Sequence, residues 1–329
     1  MFKMSSKYMF LMIMFMSTIY VMSSNNMFSM WMGMEMNMMA FMPLMFMKKN
    51  SYTSQSMLTY FLIQSMASML FLMIILMYNK MYMYYMYMLM MLSMLMKLGM
   101  PPFHMWMPNV MMNLSWNMCF ILMTWQKMAP MSIISLILMK TKFTMIIIMT
   151  STIMGSIMGL IHTSIKKIMT YSSISHLSWM MATELMFKKS WIMYMMMYMM
   201  IMFMMINLLK KNNIMYINQM FFSNISTPEK INITLMMLSM GGLPPMLGFL
   251  PKWMTINYMI SSNEMFMTLI MIMCALVTMI YYLKMISTSY LMMTTSQKWY
   301  MNMYKSKKNM YLLYMNLMLP LLIMLINMY

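Results

Sequence analysis

The chain has no arginine and no aspartate, and its 329 residues include only four glutamates, three histidines, seven glycines and two cysteines. Each scarcity removes a class of chemistry. Cys119 and Cys274 are single residues inside apolar runs, which excludes a disulfide framework and any zinc or iron–sulfur ligand spacing. His162 and His176 are separated by the polar knot TSIKK, and with His104 as the remaining histidine there is no stacked pair for haem. No glycine-rich phosphate fingerprint occurs. The 22 lysines and the net charge of +18 suggest nucleic acid. They fall, however, as scattered pairs (Lys48 and Lys49, Lys166 and Lys167, Lys188 and Lys189, Lys210 and Lys211) and form no single basic face. The pairs read as interfacial residues reaching lipid headgroups, and neither a metal nor a redox cofactor is expected in this chain.

What the chain does contain is apolar residue: 63% of it is hydrophobic and 8% charged, with a mean hydropathy of +0.69. So little polar surface cannot cover a water-soluble globule. Windows of roughly 20 apolar residues, the length that crosses a bilayer, recur near residues 1–22, 26–46, 56–78, 84–111, 112–139, 142–161, 165–186, 190–209, 231–258, 263–288 and 309–328. A β-barrel would alternate apolar and polar residues, and these runs do not. The expected fold is all-α: a polytopic membrane bundle of about eleven spans. It forms one integral membrane domain over 1–329, with a core at about 26–288 and terminal spans at 1–22 and 309–328. The N-terminal run resembles a signal peptide without a small-residue cleavage site and is read as the first span. The polar stretches around 210–230 and 294–309 are loop-sized. Eighty methionines replace leucine and isoleucine throughout without clustered spacing, which argues against a copper pathway. Excess Lys, Asn, Met, Ile and Tyr with no Arg or Asp is what an AT-rich genome produces when ATA is read as methionine, as in mitochondrial coding.

Against this background four ionisable side chains lie deep in spans: Glu35, Lys97, Lys127 and Lys252. A lysine or acid at a helix centre costs roughly 2.5–3.5 kcal/mol on insertion scales, so such residues face a bundle interior or water. Two of them adjoin matching interruptions. Gly99, Pro101 and Pro102 near Lys97 are echoed by Gly242, Pro244 and Pro245 before Lys252. Proline removes a backbone donor, which lipid tolerates only where neighbouring helices or water satisfy the freed groups. A pair of Gly/Pro-interrupted spans in corresponding positions is the sequence sign of inverted transporter repeats that handle ions at the breaks.

The segments WMGMEMNMMAFMPL, KLGMPPFHMWMPNV, TWQKMAP, KKIMTYSSISHLSWMM and GGLPPMLGFLPKW, in that order over about residues 26–285, resemble the signature segments of the subunit 2 family of mitochondrial NADH:ubiquinone oxidoreductase, respiratory complex I. The resemblance implies an antiporter-like, proton-translocating subunit of the inner mitochondrial membrane. It also implies neighbouring membrane-arm and accessory subunits, lipids such as cardiolipin, and FMN, iron–sulfur clusters and ubiquinone on other subunits. It places the family's membrane glutamate at Glu35, its broken-helix lysine at Lys97, its central lysine at Lys127 and its distal lysine at Lys252. His104 and His176 match motif histidines on a possible proton path. Gln55 and Thr59 stand where the family often has charged residues, Asn109 where an acid is common and Lys284 where arginine is usual. Burial disfavours the charged form of an ionisable group and an opposite charge restores it. Motion of Glu35 relative to Lys97 is therefore expected to change the lysine's hold on its proton, with Lys127 responding and Lys252 receiving. An independent cation/proton antiporter would use the same residues.

Overall fold

The structure is a computed structural model that describes residues 4–46, 50–77, 82–188, 190–222 and 227–291. The expected terminal span 309–328 and Lys48, Lys49 and Lys189 lie outside the described residues. Among those described, the regular elements are helices: α1 (Met4–Ser23), α2 (Met27–Met45), α3 (Ser51–Leu76), α4 (Met83–Leu98), α5 (Trp106–Asn113), α6 (Trp116–Met123), α7 (Trp125–Ile137), α8 (Lys142–Ile161), α9 (Ile165–Met186), α10 (Ser190–Lys211), α11 (Ile217–Phe222), α12 (Thr227–Gly241), α13 (Phe249–Ser261) and α14 (Met265–Leu291). Three expected spans are each two helices. The α4/α5 and α12/α13 breaks fall at the Gly/Pro clusters, whereas the α6/α7 break, at Thr124, was not foreshadowed by glycine or proline. The stretch expected to be a loop after residue 210 contains the short helix α11. It is held by backbone bonds from Ile165 N to Met215 O (2.9 Å) and from Ile217 N to Thr163 O (3.1 Å).

Six helical stretches among the described residues are long and apolar enough to cross a membrane, so the chain is a multi-pass membrane protein. Helices α2 and α9 are long enough but are not among the six. Glu35 and Asn37 dilute α2, and a run of serines and threonines dilutes α9. Protein surrounds α9 on every side, with residues from Ile165 to Glu184 buried almost without interruption, so its polar groups do not meet lipid.

The chain forms two compact units, Met1–Ile147 and Ile148–Tyr329. In the first, α2 packs on α1 and α3, α3 on α4 and α5, and α7 touches α1, α2, α4 and α6. The TWQK segment explains how α7 is seated. Trp125 Nε1 donates to Thr18 Oγ1 on α1 (3.1 Å) and its ring meets Phe15 edge-on, while Gln126 Nε2 donates to Asn37 Oδ1 on α2 (3.0 Å). In the second unit, α9 packs on α10 and α13, and α14 on α11, α12 and α13. The sequence GSIMG on α8 has the small-xxx-small spacing that lets membrane helices approach closely. A Cβ at Gly155 would sit 2.9 Å from both Ser175 N and Tyr171 O, so only glycine allows α8 this close to the α9 backbone.

Candidate functional site

The two Gly/Pro breaks close their helices in the same way, although the Pro101–Pro102 peptide bond is cis and the Pro244–Pro245 bond is not. Gly99 (φ 67°) and Gly242 (φ 86°) both occupy the left-handed region that favours glycine. Each closes its helix with paired bonds to the last turn. Gly99 N bonds Met96 O and Met100 N bonds Leu95 O; Gly242 N bonds Ser239 O and Leu243 N bonds Leu238 O. The prolines follow at the same offset, and beyond them Phe103 N bonds Met100 O (2.8 Å) as Met246 N bonds Leu243 O (3.0 Å). The lysines are placed differently. Lys97 lies in the last turn before its break and Lys252 in the first turn after its own. The position at the first break that corresponds to Lys252 is the exposed Asn109.

In the first unit Lys97 (7% exposed) and Lys127 (2%) line one cavity of about 30 Å³. That volume holds one or two waters. Asn37, Gln64, Tyr60 and Gln126 supply its polar wall. Gln64 Nε2 donates to Lys97 O (3.1 Å), a carbonyl that the end of α4 leaves without a helical partner. Pro130 lies within α7 and removes the bond that would close on Gln126 O, freeing a second acceptor beside Lys127. Glu35 is half-buried on α2, with Oε1 enclosed, and its charge acts on both Lys97 and Tyr60. The structure thus brings Lys97 and Lys127 onto one cavity and Glu35 within electrostatic reach of Lys97. His104 is buried in the first break but does not line the cavity; its carbonyl accepts from Met107 N (3.2 Å) and turns the chain into α5.

In the second unit Lys252 Nζ donates to Gly241 O (2.7 Å), the carbonyl left open where α12 ends. Its ammonium lies 6.0 Å from the centre of the Trp179 ring on α9, within cation–π range. Gly242 makes this possible, because a Cβ there would come within 2.9 Å of Lys252 Cδ. One turn earlier on α9, His176 Nδ1 and Tyr194 OH are 2.9 Å apart.

Several residues that shape these sites stayed hidden in the sequence. Asn37, Gln64 and Gln126 have no special spacing, although amides within apolar spans were a usable signal. Glu184, close to the end of α9, is also buried (1% exposed). Lys166 also departs from the expected interfacial pattern, since it is only 5% exposed. Tyr198, Tyr281 and Tyr282 are buried beside Ser173, Ser175 and Ser172 of α9, with their hydroxyls outside hydrogen-bond distance of any partner among the described residues; the serine run and the tyrosine pair were the trace of this in the sequence.

A broken-helix bundle with buried lysines at its breaks defines an antiporter-type membrane protein, and residues 24–280 match the family model described as NADH:quinone oxidoreductase/Mrp antiporter, TM. A chain of respiratory complex I from Thermus thermophilus, solved with bound aureothin, superposes with a TM-score of 0.79 at 18% identity, covering 87% of this chain and 70% of that one. NADH-ubiquinone oxidoreductase chain 2 of Locusta migratoria is 35% identical over 90% of this chain and 88% of its own length, and that of Aedes aegypti 39% identical over 91% and 90%. The chain belongs to the NADH-ubiquinone oxidoreductase chain 2 family.

Proposed function

We propose that Glu35, Lys97 and Lys127, with Lys252 at the second break, carry protons across the membrane in this subunit of NADH:ubiquinone oxidoreductase. The observation that carries this reading is the shared cavity: two lysines, both almost wholly buried, face one water-sized space. Two ammonium groups there repel, so a proton on one weakens the hold of the other. The carboxylate of Glu35 offsets that repulsion on the Lys97 side. Its approach or withdrawal is therefore a switch on which lysine is charged. Water in the cavity, held by the amides of Gln64 and Gln126, would bridge what the side chains cannot span. Moving one charge against about 100 mV takes roughly 2.3 kcal/mol, within the range of one hydrogen bond to a charged group at ~1.5–3 kcal/mol. The Glu35 carboxylate acts on Lys97 through its charge, so a change in their separation changes the energy of the charged lysine.

Redox energy comes from NADH oxidation and ubiquinone reduction, for which FMN and iron–sulfur clusters on other subunits are the expected carriers. The subunit would sit in the mitochondrial inner membrane among other membrane-arm subunits and lipids such as cardiolipin. Its lysine-rich span ends suit anionic headgroups.

Glu35→Gln keeps the shape of α2 and removes the switch charge. The assembled complex carrying it should oxidise NADH while moving fewer protons per electron pair into sealed vesicles. A wild-type ratio would remove Glu35 from the path.

A further inference from the structure

The second unit contains a cavity of about 320 Å³ between α9, α10 and α13 that the lysine row does not use. Its size is that of a small ligand pocket. Met193, Tyr194 and Met197 line it from α10, and Leu250, Met254 and Tyr258 from α13. The polar groups on its wall are already engaged. Tyr194 OH and His176 Nδ1 are 2.9 Å apart, and Thr183 Oγ1 donates to Met180 O (2.6 Å). Ser190 Oγ is in reach of two carbonyls, Thr183 O (3.0 Å) and Phe187 O (2.7 Å). A buried water needs about two to four polar partners, whereas an apolar cavity stays dry and takes up apolar guests. Left empty, the lining would forfeit dispersion contacts. The fitting occupant is hydrocarbon.

The cavity runs inward from the end of the bundle where α9 stops and α10 starts. Phe187, just past α9, lies 4.8 Å from the Tyr258 ring at that outer end. From Ser190 to Met197 α10 rises about 10 Å, and from Tyr258 back to Leu250 α13 spans about 12 Å. Exposure falls along the same path, from Met193 (44%) to Met197 (7%) and Leu250 (1%). The helix α10 is long and apolar enough to cross a membrane, and its outer face carries the exposed Met193, Met196 and Met200. The opening therefore faces the bilayer. Lys188, beside Phe187 at the mouth, is exposed, while Glu184 one turn before it is buried, so the charge presented there is positive. A cation at the membrane face above an apolar shaft is the complement of an anionic phospholipid, with its phosphate outside and its chain within.

We propose that this cavity is the seat of one acyl chain of an anionic phospholipid whose phosphate lies at Lys188. The chain fills the space between α10 and the first turns of α13, and so braces Leu250 and Pro251 immediately before Lys252. This gives a defined site to the general affinity of lysine-rich span ends for anionic headgroups. It stands on the cavity and its mouth, and does not depend on Lys252 carrying a proton.

The test places the assembled complex in phosphatidylcholine vesicles that contain phosphatidylglycerol with a diazirine midway along one acyl chain. After irradiation, mass spectrometry reads the labelled residues. Met197 and Leu250 should be labelled, although lipid that merely coats the surface cannot reach them. Lys188→Gln should lower that labelling about fivefold, the equivalent of the roughly 1 kcal/mol that a lysine near the surface adds to anionic-lipid binding. A phosphatidylcholine probe with the same diazirine should label the two residues as weakly in the unaltered complex, which answers the headgroup question even if the variant does not assemble. Label on exposed residues elsewhere in the complex, but on neither Met197 nor Leu250, would mean that protein closes the cavity and that the site is wrong. Equal labelling by the two probes would overturn the headgroup assignment. Neither readout involves proton transport, so failure here leaves the lysine row to its own tests.

Discussion

Lys97→Met in the assembled complex is expected to lower the protons translocated per electron pair while leaving the complex at full size. Lys97 is 7% exposed in the last turn of α4, beside the cavity it shares with Lys127. Methionine is similarly long and unbranched, so it fills the space. It also removes an intramembrane charge that costs roughly 2.5–3.5 kcal/mol on insertion scales, and the helix should not be weakened. The interactions that shape the break go to backbone atoms: Gln64 donates to Lys97 O, and Gly99 and Met100 close the helix on Met96 and Leu95. None of them needs the ammonium. What disappears is the proposed proton carrier between Glu35 and the cavity. Proton uptake per NADH oxidised in sealed vesicles, with a native gel for size, reads both quantities. A full-size complex with an unaltered ratio takes Lys97 out of the path.

Gly242→Ala should damage the second break more than its single methyl suggests. With φ at 86°, any residue other than glycine is strained there by about 1–2 kcal/mol. The added Cβ would also press on Lys252 Cδ from 2.9 Å, and overpacking of that kind costs about 1–3 kcal/mol unless the neighbour moves. The neighbour is the flexible end of a lysine, so it will move, and the bond from Lys252 Nζ to Gly241 O is what yields. Hydrogen–deuterium exchange over residues 238–252 should speed up, and protons per electron pair should fall. Unchanged exchange together with unchanged pumping would mean that the break tolerates a side chain and that Lys252 does not depend on it.

The sequence made the spans legible because bilayer thickness leaves a helix little choice of length. α8 and α9 have the expected limits, and α2 and α14 lie within a few residues of theirs. The two Gly/Pro breaks were equally visible, since glycine at positive φ and paired prolines leave a local signature. The break at Thr124 left none. There the backbone turns because Trp125 and Gln126 are held by α1 and α2, and those tertiary bonds have no local pattern. The same distinction holds for the site. Glu35, Lys97, Lys127 and Lys252 stood out because a charge in an apolar run is costly. Gln64 and Asn37, Tyr198 opposite Ser173, and Tyr281 over Gly159 are ordinary in their own segments. They acquire meaning only when distant helices meet.

The central claim is that Lys97 and Lys127 act in series on one path through one cavity, and proton stoichiometry in a double-mutant cycle tests it most directly. Protons per electron pair would be measured in sealed vesicles for complexes carrying Lys97→Met, Lys127→Met and both. Residues that act as a unit are non-additive, so the account predicts that the double variant loses no more than either single one. Losses that add, or a ratio that no variant changes, would contradict it.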